Sequence, residues 1–224
     1  MRIPAAAALA AILFAAAAPA QPTQVEHLKG TILSFAPATQ TLLMKTDAGQ
    51  TEEIAFLKGA RVIADQKAAL ADIKPGDFVA SAALKKPDGK LHAQEVRIFP
   101  EALRGLGEGH YAMDAPGRSM TNATVEEVNG AGAAAKSGVL KVTFHGSSMT
   151  DGVCGGHATA PGKGVCTGQT ELVVGPEVPV TRWILGDASW LQKGKAVSLF
   201  AMVGSDGKLS AHGAVVEHNG LKPM

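Results

Sequence analysis

Short alternating runs of apolar and polar residues, ended by Gly, Pro, Asn or Asp, fill most of this chain. A period of two places successive side chains on opposite faces of a β-strand. In the first half the pattern predicts strands near 25–35, 40–46, 50–57, 60–65, 77–86 and 90–99. A single helical turn is expected over 66–73. The Asp88-Gly89 pair predicts a hairpin, since a primed turn favours glycine at positive φ.

The same set of elements occurs twice, at an offset of 118 or 119 positions. Gly49-Gln50-Thr51-Glu52 meets Gly168-Gln169-Thr170-Glu171, and Asp88-Gly89-Lys90-Leu91 meets Asp206-Gly207-Lys208-Leu209. Four-residue identities that keep their order and fall at equivalent turns indicate duplication of one unit.

The hairpin strands carry the predicted core stripes. One stripe comprises Phe78, Ala80, Ala82 and Leu84, and its counterpart in the second copy comprises Val197, Leu199, Ala201 and Val203. Residues two apart share a face of a strand, so these positions are expected to face the barrel interiors. Aromatic residues make up only 4% of the chain, so the predicted cores are aliphatic.

Each copy combines six short strands with a brief helix before the last hairpin, which is typical of a small OB-like barrel. A parallel α/β sheet is excluded, since it needs crossover connections of about a dozen residues, usually helical. The sequence therefore predicts an all-β protein of two tandem small OB-like β-barrels related by internal duplication. The expected segments are a first barrel (21–100), a linker (101–121), a second barrel (122–218) and a C-terminal tail (219–224).

An apolar run near the N-terminus has the features of a signal peptide. It follows Arg2 and extends from Ala5 to Ala18, 14 residues without charge. A membrane helix needs about 20 apolar residues, whereas a signal-peptide core needs roughly 7–15. Ala18-Pro19-Ala20 supplies the small-residue cleavage site. We expect residues 1–20 to be removed by a cut after Ala20, which places the mature protein in the periplasm or outside the cell.

Charge and hydropathy narrow the classes of partner. Loss of residues 1–20 leaves 20 basic and 20 acidic residues, so the net charge is zero with neutral histidines. This balance provides no electrostatic footprint for nucleic acid. No later apolar run approaches spanning length, so no membrane insertion of the mature chain is expected. The remaining candidates are an unknown envelope protein or a small ligand, and no cofactor is identified.

An insertion over 146–167 in the second copy replaces the tight turn at Asp47-Ala48 and contains both cysteines, Cys154 and Cys166. In an oxidising compartment two such cysteines predict a disulfide. The alternative is a soft-metal site with His145, Met149 and His157, since thiolate, thioether and imidazole bind Cu(I). Oxidation would remove the thiolates that the metal needs.

His110, Met113 and Met120 form a second cluster, in the linker. One interpretation is a soft-ligand site between the barrels. The other is that both methionines fill gaps at an irregular interface while His110 caps a turn. With the insertion, the candidate metal ligands are His110, Met113, Met120, His145, Met149 and His157.

Four stretches carry a family resemblance: Ala71-Asp72-Ile73-Lys74-Pro75-Gly76-Asp77-Phe78, Glu95-Val96-Arg97-Ile98-Phe99-Pro100-Glu101, Arg104-Gly105-Leu106-Gly107-Glu108-Gly109-His110 and Met120-Thr121-Asn122-Ala123-Thr124. The chain resembles small secreted proteobacterial proteins assigned to a domain of unknown function, often labelled metal ABC transporter permeases. The resemblance implies a periplasmic barrel protein without an established activity. The chain departs from the family pattern at Ala112, where an aromatic residue is common, and in its cysteine-containing insertion. The permease label does not fit the sequence, because a permease needs several membrane helices and no spanning segment is predicted for the mature chain.

These features predict a non-enzymatic periplasmic binding module for a soft metal ion or a small ligand, with its site near His110 and the insertion. The alternative is a structural or partner-docking envelope protein with a disulfide-stapled loop and no metal. A hydrolase ranks last because no pair of nucleophile and base is found. Ser147, Ser148 and Ser189 lie outside any Gly-x-Ser-x-Gly turn.

Overall fold

A computed structural model describes residues 24–130 and 137–223, which leaves the predicted signal peptide over 1–20 outside the described residues. The described chain is all-β. Its strands are β1 (Gln24–Ala36), β2 (Thr41–Thr46), β3 (Thr51–Ala68), β4 (Phe78–Lys85), β5 (Leu91–Ala93), β6 (Val96–Ile98), β7 (Gly109–Ala112), β8 (Arg118–Asn129), β9 (Gly138–Gly146), β10 (Ser148–Thr150), β11 (Val153–His157), β12 (Cys166–Val174), β13 (Val180–Gly186), β14 (Ala196–Val203) and β15 (Leu209–Val216). Single 3-10 turns occur at Leu70–Asp72, Glu101–Leu103 and Ala188–Trp190. None of the described helical segments has the length and hydropathy needed to cross a bilayer.

Five strands close one barrel, here called barrel one. The meander β1-β2-β3 is completed by the hairpin β14-β15, with β14 on β1 and β15 parallel to β3. Its interior is filled by buried apolar side chains such as Ile32, Leu42, Met44, Ile54 and Leu199. The predicted stripe of Val197, Leu199 and Ala201 belongs to this core.

A second ring of pairings, here called barrel two, contains β8, β9, β12, β5 and β4. The meander β8-β9-β12 is completed by the hairpin β4-β5, with β4 on β8 and β5 parallel to β12. Val79, Ala83, Leu140, Val142 and Leu172 are buried in its core. Each ring therefore takes three strands from one half of the chain and a hairpin from the other half.

This exchange corrects the expected division into contiguous barrels over 21–100 and 122–218. The length of β3 explains it, because 18 residues extend over about 60 Å, more than one small barrel requires. Its first part pairs with β2 and β15, and its last part pairs with β13 from Val62 to Ala68. The chain therefore leaves β3 beside barrel two, and the hairpin that follows completes that ring.

Equivalent pairs in the two rings lie 118 positions apart. Leu91 faces Leu172 in the β5–β12 pair, and Leu209 faces Ile54 in the β15–β3 pair, so each partner is displaced by 118. The β3–β13 pair maps onto itself under the same shift, with Asp65 opposite Trp183 at its centre. The pairing pattern thus has an internal twofold relation.

A buried polar cluster occupies that centre. Arg97 Nε donates to Asp65 Oδ1 at 3.2 Å, and Thr181 Oγ1 donates to the same oxygen at 3.3 Å. The Arg97 guanidinium lies 5.0 Å from the centre of the Trp183 ring, which stacks on Phe99 at 4.5 Å. Ionic and aromatic contacts thus join both halves at the place where they cross.

The predicted core stripe of the first copy lies on the wrong face. Val79 and Ala83 line barrel two, whereas Phe78 and Ala80 pack with Phe99 in a separate cluster at the junction. The strand β4 is buried on both faces through its first six residues, so apolar residues fill both stripes and periodicity does not distinguish them.

Two predicted loops contain strands. The linker over 101–121 includes all of β7 and the start of β8, which pair with each other. The insertion over 146–167 includes the short hairpin β10-β11. Both segments acquire strand structure because β7 pairs with β8 on one edge and with β11 on the other.

Candidate functional site

The insertion folds as a hairpin against the edge of barrel two. Asp151 and Gly152 connect β10 to β11 with φ angles of 50° and 75°, the backbone of a primed two-residue turn. Gly156 of β11 faces His110 of β7, which ties the hairpin to the linker. The Asp-Gly pair is the sequence signal for this hairpin.

The disulfide predicted for the insertion is present. Cys154 and Cys166 are bonded, with their Cα atoms 5.8 Å apart, and both are buried at the rim of the barrel-two core. Closing a loop of this length constrains the unfolded chain by about 3 kcal/mol in the chain-entropy model. The bond joins β11 to β12, so the hairpin is covalently attached to a strand of barrel two.

A glycine-rich stretch of the linker brings a carboxylate beneath the insertion. Gly105, Gly107 and Gly109, on either side of Leu106 and Glu108, all have positive φ. A Cβ on Gly109 would overlap the carbonyl of Gly156, and one on Gly105 would overlap Pro161. Glycine at these positions therefore permits the linker and the insertion to touch backbone to backbone.

Glu108 joins the linker to β9 and to the insertion through three hydrogen bonds. Its Oε1 accepts from His145 Nδ1 at 2.7 Å and from the His145 backbone N–H at 3.1 Å, and its Oε2 accepts from the Gly162 N–H at 2.7 Å. The residue is only 5% exposed. A buried carboxylate needs such donors, and here they come from β9 and from the insertion. These bonds are called the Glu108 latch below.

Two other histidines of the site have aromatic or hydroxyl neighbours. His110 Nδ1 lies 2.8 Å from Thr121 Oγ1, and its ring lies 5.5 Å from that of Phe144. Burial lowers the pKa of His110 below its ordinary value. The His157 ring lies 3.8 Å from the Tyr111 ring, and burial raises the pKa of Tyr111.

The candidate methionine ligands do not gather at one point. Met149 is exposed on β10, Met113 follows β7, and Met120 packs against the junction cluster. The placement of Met120 agrees with the gap-filling interpretation. Within residues 24–130 and 137–223, no three His, Cys, Asp or Glu side chains are grouped to hold a metal ion.

Sequence reasoning missed Glu108, which is the centre of this site. The available signal was its position between Gly107 and Gly109, because alternating glycines mark a backbone that approaches another segment closely. Its partners His145 and Gly162 lie 37 and 54 positions away, and spacing alone does not connect them.

The stapled insertion presents apolar side chains to solvent. Met149, Val153 and Val165 are 56%, 65% and 72% exposed. Met149 lies on β10, Val153 lies on β11, and Val165 directly precedes β12. Met149 is paired with Cys154 and Thr150 with Val153, so Met149 and Val153 lie on opposite faces of the hairpin. β10 is the last strand of the sheet order. The exposed part of the insertion that carries these three apolar side chains is called the insertion face below.

Comparison with models of protein families, with curated proteins and with solved structures finds no match.

Replacing Glu108 with alanine should release the insertion. The Gly162 and His145 N–H groups would lose a charged acceptor, and a hydrogen bond to a charged group contributes about 1.5–3 kcal/mol. Trypsin should then cut after the exposed Lys163 faster than in the unaltered protein, as followed by mass spectrometry. Glu101→Ala is the control, because Glu101 lies in the same linker and, among the described residues, its carboxylate pairs with nearby Arg104 rather than with the insertion. Equal cleavage rates for E108A and E101A would contradict the latch.

The half-buried His110 should make folding less favourable in acid. Its folded pKa lies below the ordinary value of 6.5, so as pH falls below about 6.5 the unfolded chain binds a proton that the folded chain does not. The unfolding free energy should therefore decrease as pH falls through that window, measured by urea titration at about pH 7.5 and 5.5. His110→Asn should make the decrease smaller, and part of it should remain because burial also lowers the pKa of His27. An unchanged decrease in H110N would contradict this assignment.

Proposed function

We propose that this chain is a non-enzymatic binding module of the bacterial cell envelope, and that its insertion face docks an extended apolar segment of another envelope protein. One observation carries the proposal: an insertion attached by the disulfide and by the Glu108 latch exposes Met149, Val153 and Val165. A loop without a binding role needs neither the double attachment nor the exposed apolar side chains.

Rigidity favours binding because a surface ordered in advance loses little conformational entropy on association. The insertion face is attached at Cys154 by the disulfide and at Gly162 by the latch, and β11 pairs with β7. The three attachments act on different parts of the insertion. The apolar side chains are therefore held in place before a partner arrives.

The free edge of β10 favours a partner in extended conformation rather than a helical partner. In the described part of the chain, β10 pairs only with β11, so its other edge has no strand partner. An incoming strand would hydrogen-bond to that edge while its alternate side chains contact Met149 and its neighbours. Main-chain bonds would supply affinity, and the apolar contacts would supply selectivity.

Partner docking is favoured over metal binding at this site. The disulfide uses both sulfur atoms that a soft metal would take as thiolates, and His145 Nδ1 is engaged by Glu108. A metal-ligating histidine is also often held by a carboxylate at its other ring nitrogen. However, the described residues supply no group of three His, Cys, Asp or Glu side chains that could hold a metal ion.

The compartment and the origin of the fold belong to the same proposal. A buried disulfide fits an oxidising periplasm, the location also implied by a signal peptide cut after Ala20 and by the family resemblance. The ring order and the constant displacement of 118 between equivalent pairs support two OB-like units that arose by duplication.

A photo-crosslinking amino acid at position 153 should give one discrete adduct in cells that produce the protein, because Val153 lies on the insertion face. The same amino acid at position 200 is the control, since Phe200 is similarly exposed on barrel one. Met149→Lys should abolish the adduct from position 153, because a charge on an edge strand opposes strand addition. No adduct from position 153, or an adduct that survives M149K, would overturn the proposed docking.

A further inference from the structure

A cavity of about 400 Å³ opens at one end of barrel one. It lies between the β1–β2 turn, the middle of β3 and the 3-10 turn after β13. Its lining combines aromatic, aliphatic and polar side chains, among them Phe35, Phe56, Val62, Leu191, Arg61 and Asp187. This volume falls within the range of small-molecule sites, which often occupy the mouths of β-barrels.

The interior of the cavity is apolar. Phe35 and Phe56 form one wall, with ring centres 5.7 Å apart. Val62 and Leu191 belong to the buried core of barrel one and form the floor. A hydrocarbon or aromatic group placed here would lose contact with water on several sides, which favours binding by about 25 cal/mol for each Å² buried.

Among the described residues, the guanidinium of Arg61 at the rim has no partner. Arg61 is exposed, and although its backbone pairs with Gly213 in β15, its guanidinium makes no hydrogen bond or ion pair with any described residue. Asp187, on the opposite side, is engaged in its own 3-10 turn, since its Oδ1 accepts from the Ser189 N–H at 2.8 Å. An unpaired guanidinium beside an apolar cavity favours a carboxylate, which it can bind through two parallel N–H bonds.

The equivalent space in barrel two is filled. The small cavity residues Ala60 and Ala188 correspond, 118 positions away, to Val178 and Leu70. Leu70 is buried in the barrel-two core, and Val178 packs against it. The fold itself therefore does not impose a cavity. It is open in barrel one because small residues occupy the two positions that larger residues fill in barrel two.

The charged rim differs between the halves in the same way. Arg61 corresponds to Pro179, and Asp187 corresponds to Ala69. Loss of bulk and gain of two charged side chains, of which only the Arg61 guanidinium has no partner among the described residues, coincide at one end of the molecule. A packing defect would account for the space but not for the charge beside it.

From this coincidence we infer that the barrel-one cavity binds a small apolar monocarboxylate, with its hydrocarbon part against the wall formed by Phe35 and Phe56 and its carboxylate on Arg61. The site lies apart from the insertion face and involves none of its residues. It gives the chain a small-molecule binding activity in addition to the proposed docking.

Fluorescence titration of the full chain with anilinonaphthalene sulfonate, an apolar aromatic anion, tests the inference, with decanoate as competitor. The unaltered protein should bind the probe saturably, and decanoate should displace it. Ala60→Val with Ala188→Leu, which reproduces the filling of barrel two, should abolish binding. Arg61→Gln should weaken it by about tenfold or more, as expected for loss of a charge-assisted hydrogen bond. Lys58→Gln is the matched control, because Lys58 is a nearby exposed cation outside the cavity lining and should leave binding unchanged.

The single variant Ala188→Leu tests the filling of the cavity if the double variant does not fold. Ala188 is exposed, so a larger side chain there does not have to fit into the core. Probe binding that persists in folded A188L and A60V/A188L, or that falls equally in R61Q and K58Q, would overturn the inference. Failure of decanoate to displace the probe would overturn the carboxylate assignment. Crosslinking from position 153 should remain unchanged in A188L, which keeps this result separate from the docking proposal.

Discussion

The exchange of hairpins between the two halves is the constraint on which the rest of the structure depends. Neither ring closes with strands from its own half, because β14 and β15 complete barrel one and β4 and β5 complete barrel two. The core of each barrel is therefore buried only when both halves are folded. The long strand β3 makes the exchange necessary, and the cluster at Asp65 joins the halves where they cross.

The two proposed sites lie where the twofold relation is broken. The second half has a stapled insertion in place of the tight turn at Asp47-Ala48, and the first half has Ala60 where the second has Val178. A framework with an internal twofold relation of strand pairs offers equivalent positions in both halves, so departures from equivalence carry information that the common pairing does not. The Glu108 latch belongs to the same class, because its Oε2 accepts a hydrogen bond from Gly162 of the insertion.

The sequence located most strands of the first half, but not the strands in the linker and insertion and not the pairing. Alternation and turn residues placed β1, β2 and β4 to within a few residues, and the two cysteines of the insertion predicted their disulfide. The sequence did not reveal the exchange of hairpins. The same displacement of 118 relates the two halves whether each hairpin closes the ring of its own half or the ring of the other half. The stripe containing Phe78 was assigned to the wrong face because β4 is buried on both sides. Glu108 escaped notice since its donors are distant in the chain.

Oxidative crosslinking of designed cysteine pairs tests the exchanged pairing most directly. Val25 faces Met202 across β1 and β14, and paired Cα atoms at about 4.5–5.5 Å suit a disulfide. In contiguous barrels β1 would instead lie beside β4, where Leu84 is the counterpart of Met202 by the displacement of 118. Peptide mapping without reduction should show the crosslink in the V25C/M202C variant and none in V25C/L84C. The reverse result would show that each half closes its own barrel and would contradict this account.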